Sequence, residues 1–324
     1  MKSLDHYWYS INFISLLLLP LSGFFCLISK IRRLLFKVGV LKSYKAPVPV
    51  IIVGNISVGG TGKTPLIIEL IKKFQSQGKT AGVISRGYGG KSSVWPRLVN
   101  EQSTAKEVGD EPKLIHELTQ CPIAVGPDRQ KDIELLIQHH NCDVILSDDG
   151  MQHYALGRDV EIAVVDSKRK FGNGFCLPSG PLRERVSRLQ EVDLVLLNGG
   201  GEDQLSFKLQ SQVCKPVNIL KIESIPLADL KNKTVHAVAG IGNPSRFFSM
   251  LNDLGINVIE HEFPDHYQYQ SDDLLFSDDL PVLMTEKDAV KCKGFELNNH
   301  WSVPVEVKFS KLAEEQLQQV FNLV

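Results

Sequence analysis

Ser57-Val-Gly-Gly-Thr-Gly-Lys-Thr64 follows the apolar run Val48-Pro-Val-Ile-Ile-Val-Gly54 in the sequence. Its three glycines allow the backbone to turn tightly enough for successive N–H groups to point at one anion, and a helix that begins here adds its positive end. The ammonium group of Lys63 is expected to reach the β- and γ-phosphates, and the Thr64 hydroxyl is the usual ligand of the accompanying Mg²⁺. The pattern predicts a phosphate-binding loop between a strand and a helix, and a protein that uses a nucleoside triphosphate.

The loop departs from the usual pattern, G-x-x-x-x-G-K-[ST], at Ser57, where the pattern has glycine. Serine can serve at this position if its backbone φ is not positive. A glycine-rich turn without a ligand is the alternative, but the strand, loop, Lys-Thr and helix signals coincide here. The predicted nucleotide-binding residues of the loop are Ser57, Val58, Gly59, Gly60, Thr61, Gly62, Lys63 and Thr64.

Short apolar runs that favour strands alternate with helical patterns after the loop. Strands are predicted at residues 80–85, 121–125, 142–147, 160–165 and 192–197, and helices at 65–77, 111–120 and 128–141. This alternation is typical of a parallel sheet with helices on both faces. We therefore predict an α/β fold with a sheet like that of P-loop NTPases, a smaller second α/β domain and an N-terminal membrane-associated helix.

The alternation pauses near residues 215–230 and restarts at Thr234. We predict a membrane-associated segment at 1–40, a phosphate-loop domain at 41–225 and a smaller α/β domain at 226–324 that closes a cleft. The smaller domain is predicted to contain strands at 234–239, 256–261, 281–284 and 303–308 and a helix at 244–254. Gly240-Ile-Gly-Asn-Pro244 lacks the third glycine of a dinucleotide fingerprint, so we predict a turn with a helix N-cap.

The composition is that of a globular protein. A chain of 324 residues with 43% apolar content can bury the cores of two domains. The formal charge of −1 gives no general attraction to nucleic acid, so we expect no nucleic-acid partner, and no obligate protein partner is evident. The six cysteines show no metal-ligand spacing and are expected to be reduced thiols in a cytosolic setting.

Residues 11–28, INFISLLLLPLSGFFCLI, approach the length of a membrane span but are interrupted by polar residues, Pro20 and Gly23. A basic cluster follows at once, which by the positive-inside rule places the C-terminal side in the cytoplasm. The interruptions favour a helix or bent hairpin lying in the inner leaflet over a single span. A buried core helix is the remaining alternative.

The apolar run Val144-Ile-Leu-Ser147 ends in Asp148-Asp149-Gly150. A strand that ends in carboxylates downstream of a phosphate loop is the Walker B arrangement, which lies beside the nucleotide-bound Mg²⁺. Adjacent residues of an extended segment point to opposite sides. We predict Asp149 as the metal ligand and Asp148 as a supporting or water-mediated partner, against the alternative of a solvated turn.

Three other segments carry candidate groups. Ser85-Arg-Gly-Tyr-Gly-Gly-Lys91 suits close approach to phosphate or sugar, although a surface loop has the same composition. The two carboxylates of Gly109-Asp-Glu-Pro-Lys113 begin a predicted helix, where they could be capping groups only. His266 lies beside Asp265 and, taken alone, is more often a structural residue than a catalytic one.

Seven segments in order resemble the motifs of the tetraacyldisaccharide 4′-kinase family, the lipid A kinases. They are Val53-Gly-Asn-Ile-Ser-Val-Gly-Gly-Thr-Gly-Lys-Thr-Pro65, Ser85-Arg-Gly-Tyr-Gly89, Gly109-Asp-Glu-Pro112, Ser147-Asp-Asp-Gly-Met-Gln-His153, Pro178-Ser-Gly-Pro-Leu-Arg-Glu184, Phe263-Pro-Asp-His266 and Thr285-Glu-Lys-Asp-Ala-Val290. The ordered set is much more specific than the phosphate loop alone.

The resemblance implies transfer of the ATP γ-phosphate to the 4′-hydroxyl of a tetraacylated glucosamine disaccharide 1-phosphate, which gives lipid IVA. It implies that Asp110 accepts the hydroxyl proton and that His266, from the second domain, orients or relays it. A hydroxyl of high pKa that attacks a loose phosphoryl transition state needs positioning and a late proton acceptor, which agrees with this pair.

The resemblance also implies the surroundings of the reaction. Lys63 and Arg86 would compensate charge on the phosphates, and Mg²⁺ would be held by Thr64, Asp149, Glu111 and Gln152. A lipid substrate whose acyl chains stay in the bilayer implies an enzyme on the cytoplasmic face of the bacterial inner membrane.

A different class of protein shares the phosphate loop: a membrane-associated ATPase or GTPase that acts on a protein partner. The sequence contains no guanine-specific Asn-Lys-x-Asp, which counts against a GTPase. An inactive binding module is disfavoured because every expected catalytic group is present.

Overall fold

The computed structural model describes residues 7–217, 223–322 and 324, and contains two sheets flanked by helices. The helices are α1 Phe13–Leu17, α2 Leu19–Lys37, α3 Lys63–Ser76, α4 Ala105–Val108, α5 Asp110–Thr119, α6 Arg129–His139, α7 Pro244–Asp253, α8 Glu286–Cys292 and α9 Lys311–Phe321. The strands are β1 Val50–Gly54, β2 Ala81–Ser85, β3 Arg97–Leu98, β4 Ile123–Val125, β5 Val144–Asp148, β6 Val160–Asp166, β7 Leu194–Asn198, β8 Ser206–Gln210, β9 Val213–Pro216, β10 Ile225–Pro226, β11 Thr234–Ala239, β12 Asn257–Glu262, β13 Val282–Thr285, β14 His300–Val303 and β15 Glu306–Phe309.

The larger sheet has the strand order β15-β8-β7-β6-β1-β5-β2-β4-β3, with β15 and β3 antiparallel at its two edges and the strands between them parallel. One apolar core packs α3, α5 and α9 against one face, and a second core packs α6 against the other. The predicted parallel sheet with helices on both faces is confirmed. Because the strands are parallel, β1, β2, β5, β6 and β7 all end at one edge, where ligands of such sheets bind.

The smaller sheet has the order β10-β9-β14-β13-β11-β12, in which the last four strands are parallel. Helix α7 follows β11 and packs Phe247, Phe248 and Leu251 into a core of its own. The predicted strands at 234–239, 256–261 and 281–284 and the predicted helix at 244–254 match this sheet to within a residue or two.

The strand pairing differs from the predicted division of the chain at residue 225. Strand β9 precedes that boundary but pairs with β14 of the smaller sheet. The stretch 303–308, predicted as one strand of the smaller domain, is instead divided between β14 and β15, and β15 pairs with β8 of the larger sheet. Helix α9 follows β15 and also packs on the larger sheet's helix α3, where the ring centroids of Phe321 and Phe74 are 4.7 Å apart. Short alternating strands carry no signal for the sheet they join, so the sequence pattern could not place them.

The N-terminal run forms α1 and α2, and Pro20 lies in the first turn of α2, where it does not kink the helix. The polar residues that interrupt the run face the protein: Ser22 Oγ donates to the Cys176 carbonyl at 2.8 Å, and Ser15 is buried. The apolar side chains on the other side, such as Phe13 and Phe24, are 79% and 63% exposed. Among the described residues, no helix is both long enough and apolar enough to cross a bilayer.

Candidate active site

The phosphate-binding loop joins β1 to α3 at the carboxyl edge of the larger sheet. Gly62 caps α3 with φ +96°, and a Cβ at this position would lie 2.2 Å from Asn198 Nδ2, so only glycine fits. Ser57 is not among the described residues with positive φ, so the condition for serine at this position holds. The departure from the usual pattern therefore leaves the loop geometry intact.

Side chains of the surrounding elements hold the loop carbonyls. Asn198 Nδ2 donates to the Thr61 carbonyl at 2.9 Å, Asn55 Nδ2 donates to the Gly59 carbonyl at 3.4 Å, and Arg169 donates to the Gly60 carbonyl. In the described hydrogen bonds, the N–H groups of residues 59–63 have no acceptor. They are the backbone groups that an anion would meet, together with the N-terminus of α3.

A cavity of about 960 Å³ lies over the loop, between the two sheets. Seven of the predicted site residues line it in addition to the loop backbone: Lys63, Thr64, Arg86, Glu111, Asp149, Gln152 and His266. Ser57 and Asp110 are not among its lining residues. Its lining also includes apolar side chains, among them Ile68, Leu209, Phe247, Met250 and Val305.

Asp148 and Asp149 occupy different environments at the end of β5. Asp148 is 2% exposed, and burial, with Glu111 and Asp149 nearby, raises its pKa to about 7. Burial also acts on Asp149, but Lys63 at 3.5 Å and Arg183 at 2.8 Å lower its pKa. Asp149 has φ +51°, so the chain has already left the extended conformation that the prediction assumed.

One oxygen of each aspartate accepts no hydrogen bond. Asp148 Oδ1 and Asp149 Oδ1 are both buried, and Lys63 Nζ lies 3.5 Å from Asp149 Oδ1 as an ion pair. Buried carboxylate oxygens without donors are unusual in proteins, and a cation bound between them and the phosphates would satisfy both. In the part of the chain that the structure describes, no cluster of three or more His, Cys, Asp or Glu side chains could hold a metal ion alone.

The structure brings Asp110 and His266 together from the two sheets. Asp110 begins α5 and is 4% exposed, and its Oδ1 lies 2.9 Å from His266 Nδ1. Burial raises the pKa of Asp110, but the bond to His266 and the charge of Lys287 outweigh this effect and lower it. Burial lowers the pKa of His266, but the bond to Asp110 outweighs this effect and raises it. Each partner therefore favours the charged form of the other.

Two predicted metal-shell residues have protein partners in this structure. Glu111 Oε1 accepts a hydrogen bond from Lys287 Nζ at 3.0 Å. Gln152 Nε2 donates to the Asn55 carbonyl at 3.1 Å and to Glu184 at 3.0 Å, while its oxygen lies 3.4 Å from Arg183. Both side chains line the cavity, so their predicted role stays a prediction.

Sequence reasoning assigned no role to several cations of the cavity. Lys287 lies within 3.8 Å of Asp110, Glu111 and Asp265 at once, and these carboxylates raise its pKa. Arg183 pairs with Asp149. Both belong to segments that carry the family resemblance, which was the available signal. Arg246, also in the cavity lining, lies in no such segment.

The family model "Tetraacyldisaccharide-1-P 4'-kinase" matches residues 14–322. The chain belongs to this family. It is 50% identical over 304 residues to the tetraacyldisaccharide 4′-kinase of Nitrosococcus oceani, covering 93% of this chain and 89% of that protein. It is 45% identical over 326 residues to that of Hahella chejuensis, covering 98% and 96%. The crystal structure of the "apo" form of LpxK from Aquifex aeolicus in complex with ATP superimposes with a TM-score of 0.77 at 31% identity, over 96% of this chain and 99% of that one.

Proposed function

We propose that this protein is an ATP-dependent kinase that phosphorylates the 4′-hydroxyl of a tetraacylated glucosamine disaccharide 1-phosphate, the reaction that its family name describes. The observation that carries the proposal is the contact between Asp110 and His266 at 2.9 Å, in which His266 lines the cavity that lies over the phosphate-binding loop. An ATPase needs to activate only water. A buried carboxylate that is oriented by a histidine of a second sheet suits a bound alcohol better.

The protein residues divide the work of phosphoryl transfer. The loop N–H groups and Lys63 bind the phosphates, and Lys63 together with Arg183 offsets the charge that develops on the transferred group. Asp110, kept ionised by its surroundings, accepts the proton of the sugar hydroxyl as the hydroxyl oxygen bonds to the γ-phosphorus of ATP. The bond from this phosphorus to the oxygen of the leaving ADP breaks in the same transfer. His266 fixes the orientation of that carboxylate through Nδ1.

Mg²⁺ fits the unsatisfied oxygens of Asp148 and Asp149 and the hydroxyl of Thr64. We propose that these residues hold it together with the nucleotide phosphates and water, with Glu111 and Gln152 as further members of the shell. When bound, it would neutralise charge on the phosphates.

The apolar side chains of the cavity suit the adenine base. Ile68 of α3, Leu209 of β8 and Met250 of α7 line the cavity, so both sheets contribute to its walls. Mostly apolar walls around a polar phosphate site are usual for nucleotide pockets. We therefore assign the adenine base to these side chains and the phosphates to the loop.

The exposed apolar side of α1 and α2 supports a location on a lipid surface. Phe13, Leu17, Leu21 and Phe24 are all more than half exposed, whereas the polar side of the same helices contacts the protein. A monomeric soluble protein rarely exposes such a contiguous patch. We propose that this patch lies in the cytoplasmic face of the inner membrane, with Lys30 near the headgroups.

Two assays test these assignments. Formation of ADP by the purified protein should depend on the lipid disaccharide and match the phosphorylated lipid mole for mole. Lipid-independent ADP formation would favour the ATPase alternative. In flotation with anionic vesicles, the full chain should float, and Phe13→Ser combined with Phe24→Ser should remain largely in the soluble fraction. Ser10→Ala with Ser43→Ala serves as a surface control, and equal flotation of all three proteins would refute the membrane face.

A further inference from the structure

The turn Gly240-Ile-Gly-Asn-Pro244 connects β11 to α7 and packs directly on the phosphate-binding loop. A Cβ on Gly242 would lie 2.3 Å from the backbone N of Gly60, so the two backbones meet with no room for a side chain. Asn243 occupies the N-cap position of α7, as the sequence predicted, but its side chain does not cap the helix. Its Nδ2 instead donates to Asp166 Oδ2 at 3.2 Å, across the boundary between the two sheets.

Asp166 is the anchor of this contact. It ends β6, next to β1 and the loop, and is 2% exposed. Its Oδ1 accepts the backbone N–H groups of Lys168 and Arg169 at 3.0 Å each, which fixes the carboxylate on the larger sheet. Its Oδ2 accepts a hydrogen bond from the Arg246 guanidinium of α7 at 2.6 Å, in addition to the one from Asn243. One buried carboxylate thus connects β6 with two residues of the smaller sheet's α7 region.

Arg169 completes the connection. Its Nε donates to Asp166 Oδ2 at 3.2 Å, one terminal nitrogen donates to the Gly242 carbonyl at 3.0 Å, and the other donates to the Gly60 carbonyl. A planar guanidinium can satisfy three acceptors in fixed directions, which a lysine ammonium cannot reproduce. Arg169 therefore joins the phosphate-binding loop, the Gly240–Pro244 turn and β6 in one network.

The network lies one layer away from the Asp110–His266 pair. A Cβ on Gly242 would be 3.2 Å from Asp265 Oδ2, and Asp265 precedes His266 in the turn that follows β12. Asp265 Oδ1 accepts a hydrogen bond from Lys287 Nζ, which lies 3.8 Å from Asp110 Oδ2. Asp265 thus lies beside both Gly242 and His266. Neither Asp166 nor Arg169 lines the cavity, so both act through other residues.

We infer that Asp166 and Arg169 are positioning residues: they clamp the Gly240–Pro244 turn of the smaller sheet onto the phosphate-binding loop and thereby place His266 on Asp110. This inference rests on the proposed function, because it assigns the pair a role in phosphoryl transfer. It also explains why a G-x-G turn occurs here without a dinucleotide, since Gly242 is needed for contact with Gly60.

The test combines kinetics with hydrogen exchange on the full-length protein. Asp166→Asn replaces one acceptor oxygen with a donor that faces Arg246 and Asn243, and leaves the cavity lining unchanged. We expect kcat with ATP and lipid saturating to fall about 10- to 100-fold in the otherwise unchanged protein, but less than about 3-fold in a His266→Ala background. Amide exchange across residues 240–250 should accelerate. The matched control is Asp193→Asn. Asp193 is likewise a carboxylate that accepts a backbone N–H group, that of Glu161 in β6 at 2.7 Å, and its substitution should change neither readout.

Equal losses of kcat in both backgrounds, or unchanged exchange in 240–250, would overturn the inference. If Asp166→Asn does not fold, the same two measurements are made on Arg169→Lys with the same expectations. This variant keeps the positive charge but loses the planar guanidinium that donates to three acceptors. Failure of the unchanged protein to phosphorylate the lipid would refute the proposed function instead. The exchange experiment would then still decide whether the clamp exists.

Discussion

The Asp110–His266 pair predicts a specific pattern of lost activity. If the imidazole orients the carboxylate and tunes its pKa, Asp110→Ala and His266→Ala each remove the same function, general-base catalysis. General-base catalysis of this kind contributes about 10²- to 10⁴-fold, or about 3 to 5.5 kcal/mol of the barrier. Each single variant should therefore lose a kcat factor in this range.

The double variant decides whether the two residues act as one unit. His266 Nδ1 lies 2.9 and 3.1 Å from the two oxygens of Asp110, closer than the 3.7 Å between His266 Nε2 and Asp265 Oδ2. The double variant should therefore lose about as much as the worse single variant, far short of a product of about 10⁴ to 10⁸. Residual activity should remain, because phosphate binding by Lys63 and the loop is untouched.

The assay is initial-rate phosphorylation of the lipid disaccharide with both substrates saturating, on variants whose thermal unfolding matches that of the unchanged protein. Asp110→Asn is the companion variant, since it keeps the size of the side chain and loses the charge. Losses that multiply in the double variant would refute the pair as a unit. So would an Asp110→Asn protein with full activity.

Three further results are expected. Lys63→Ala and Thr64→Ala should each lower kcat by about 10²-fold or more without loss of folding, and unchanged turnover in either would remove the loop from the mechanism. Asp149→Asn should raise the Mg²⁺ concentration needed for half-maximal activity by about 10-fold and Asp148→Asn by less, and the reverse order would reassign the closer ligand. The stability that His266 contributes through its raised pKa should be present at about pH 6 and lost as pH rises through that pKa. His266→Ala should therefore lower the free energy of unfolding more at about pH 6 than at about pH 9. An equal effect at both pH values would contradict the charged pair.

The central sheet could be predicted from sequence because its signals are local. Buried parallel strands produce apolar runs such as Val144–Ser147, and the turn that follows each strand carries glycines or carboxylates that mark the binding edge. The edge strands and the return of β15 to the larger sheet could not be predicted, because pairing between β8 and β15 depends on contacts about a hundred residues apart.

The residues of the candidate site also fall into those that a local motif predicts and those that it does not. The phosphate-binding loop and the carboxylates after β5 are contiguous motifs, whereas Asp110 and His266 are separated by 156 positions and were associated only through the family resemblance. Arg169 and Arg246 carried no signal at all. Their importance follows from a packed boundary between two sheets, which no local pattern encodes.

The most direct test of the account is mass spectrometry of the lipid disaccharide 1-phosphate after incubation with the purified protein, ATP and Mg²⁺. We predict that the lipid gains one phosphoryl group, that fragmentation places it on the sugar ring that carried none, and that Asp110→Ala suppresses the gain. Consumption of ATP with no change in the mass of the lipid would contradict it.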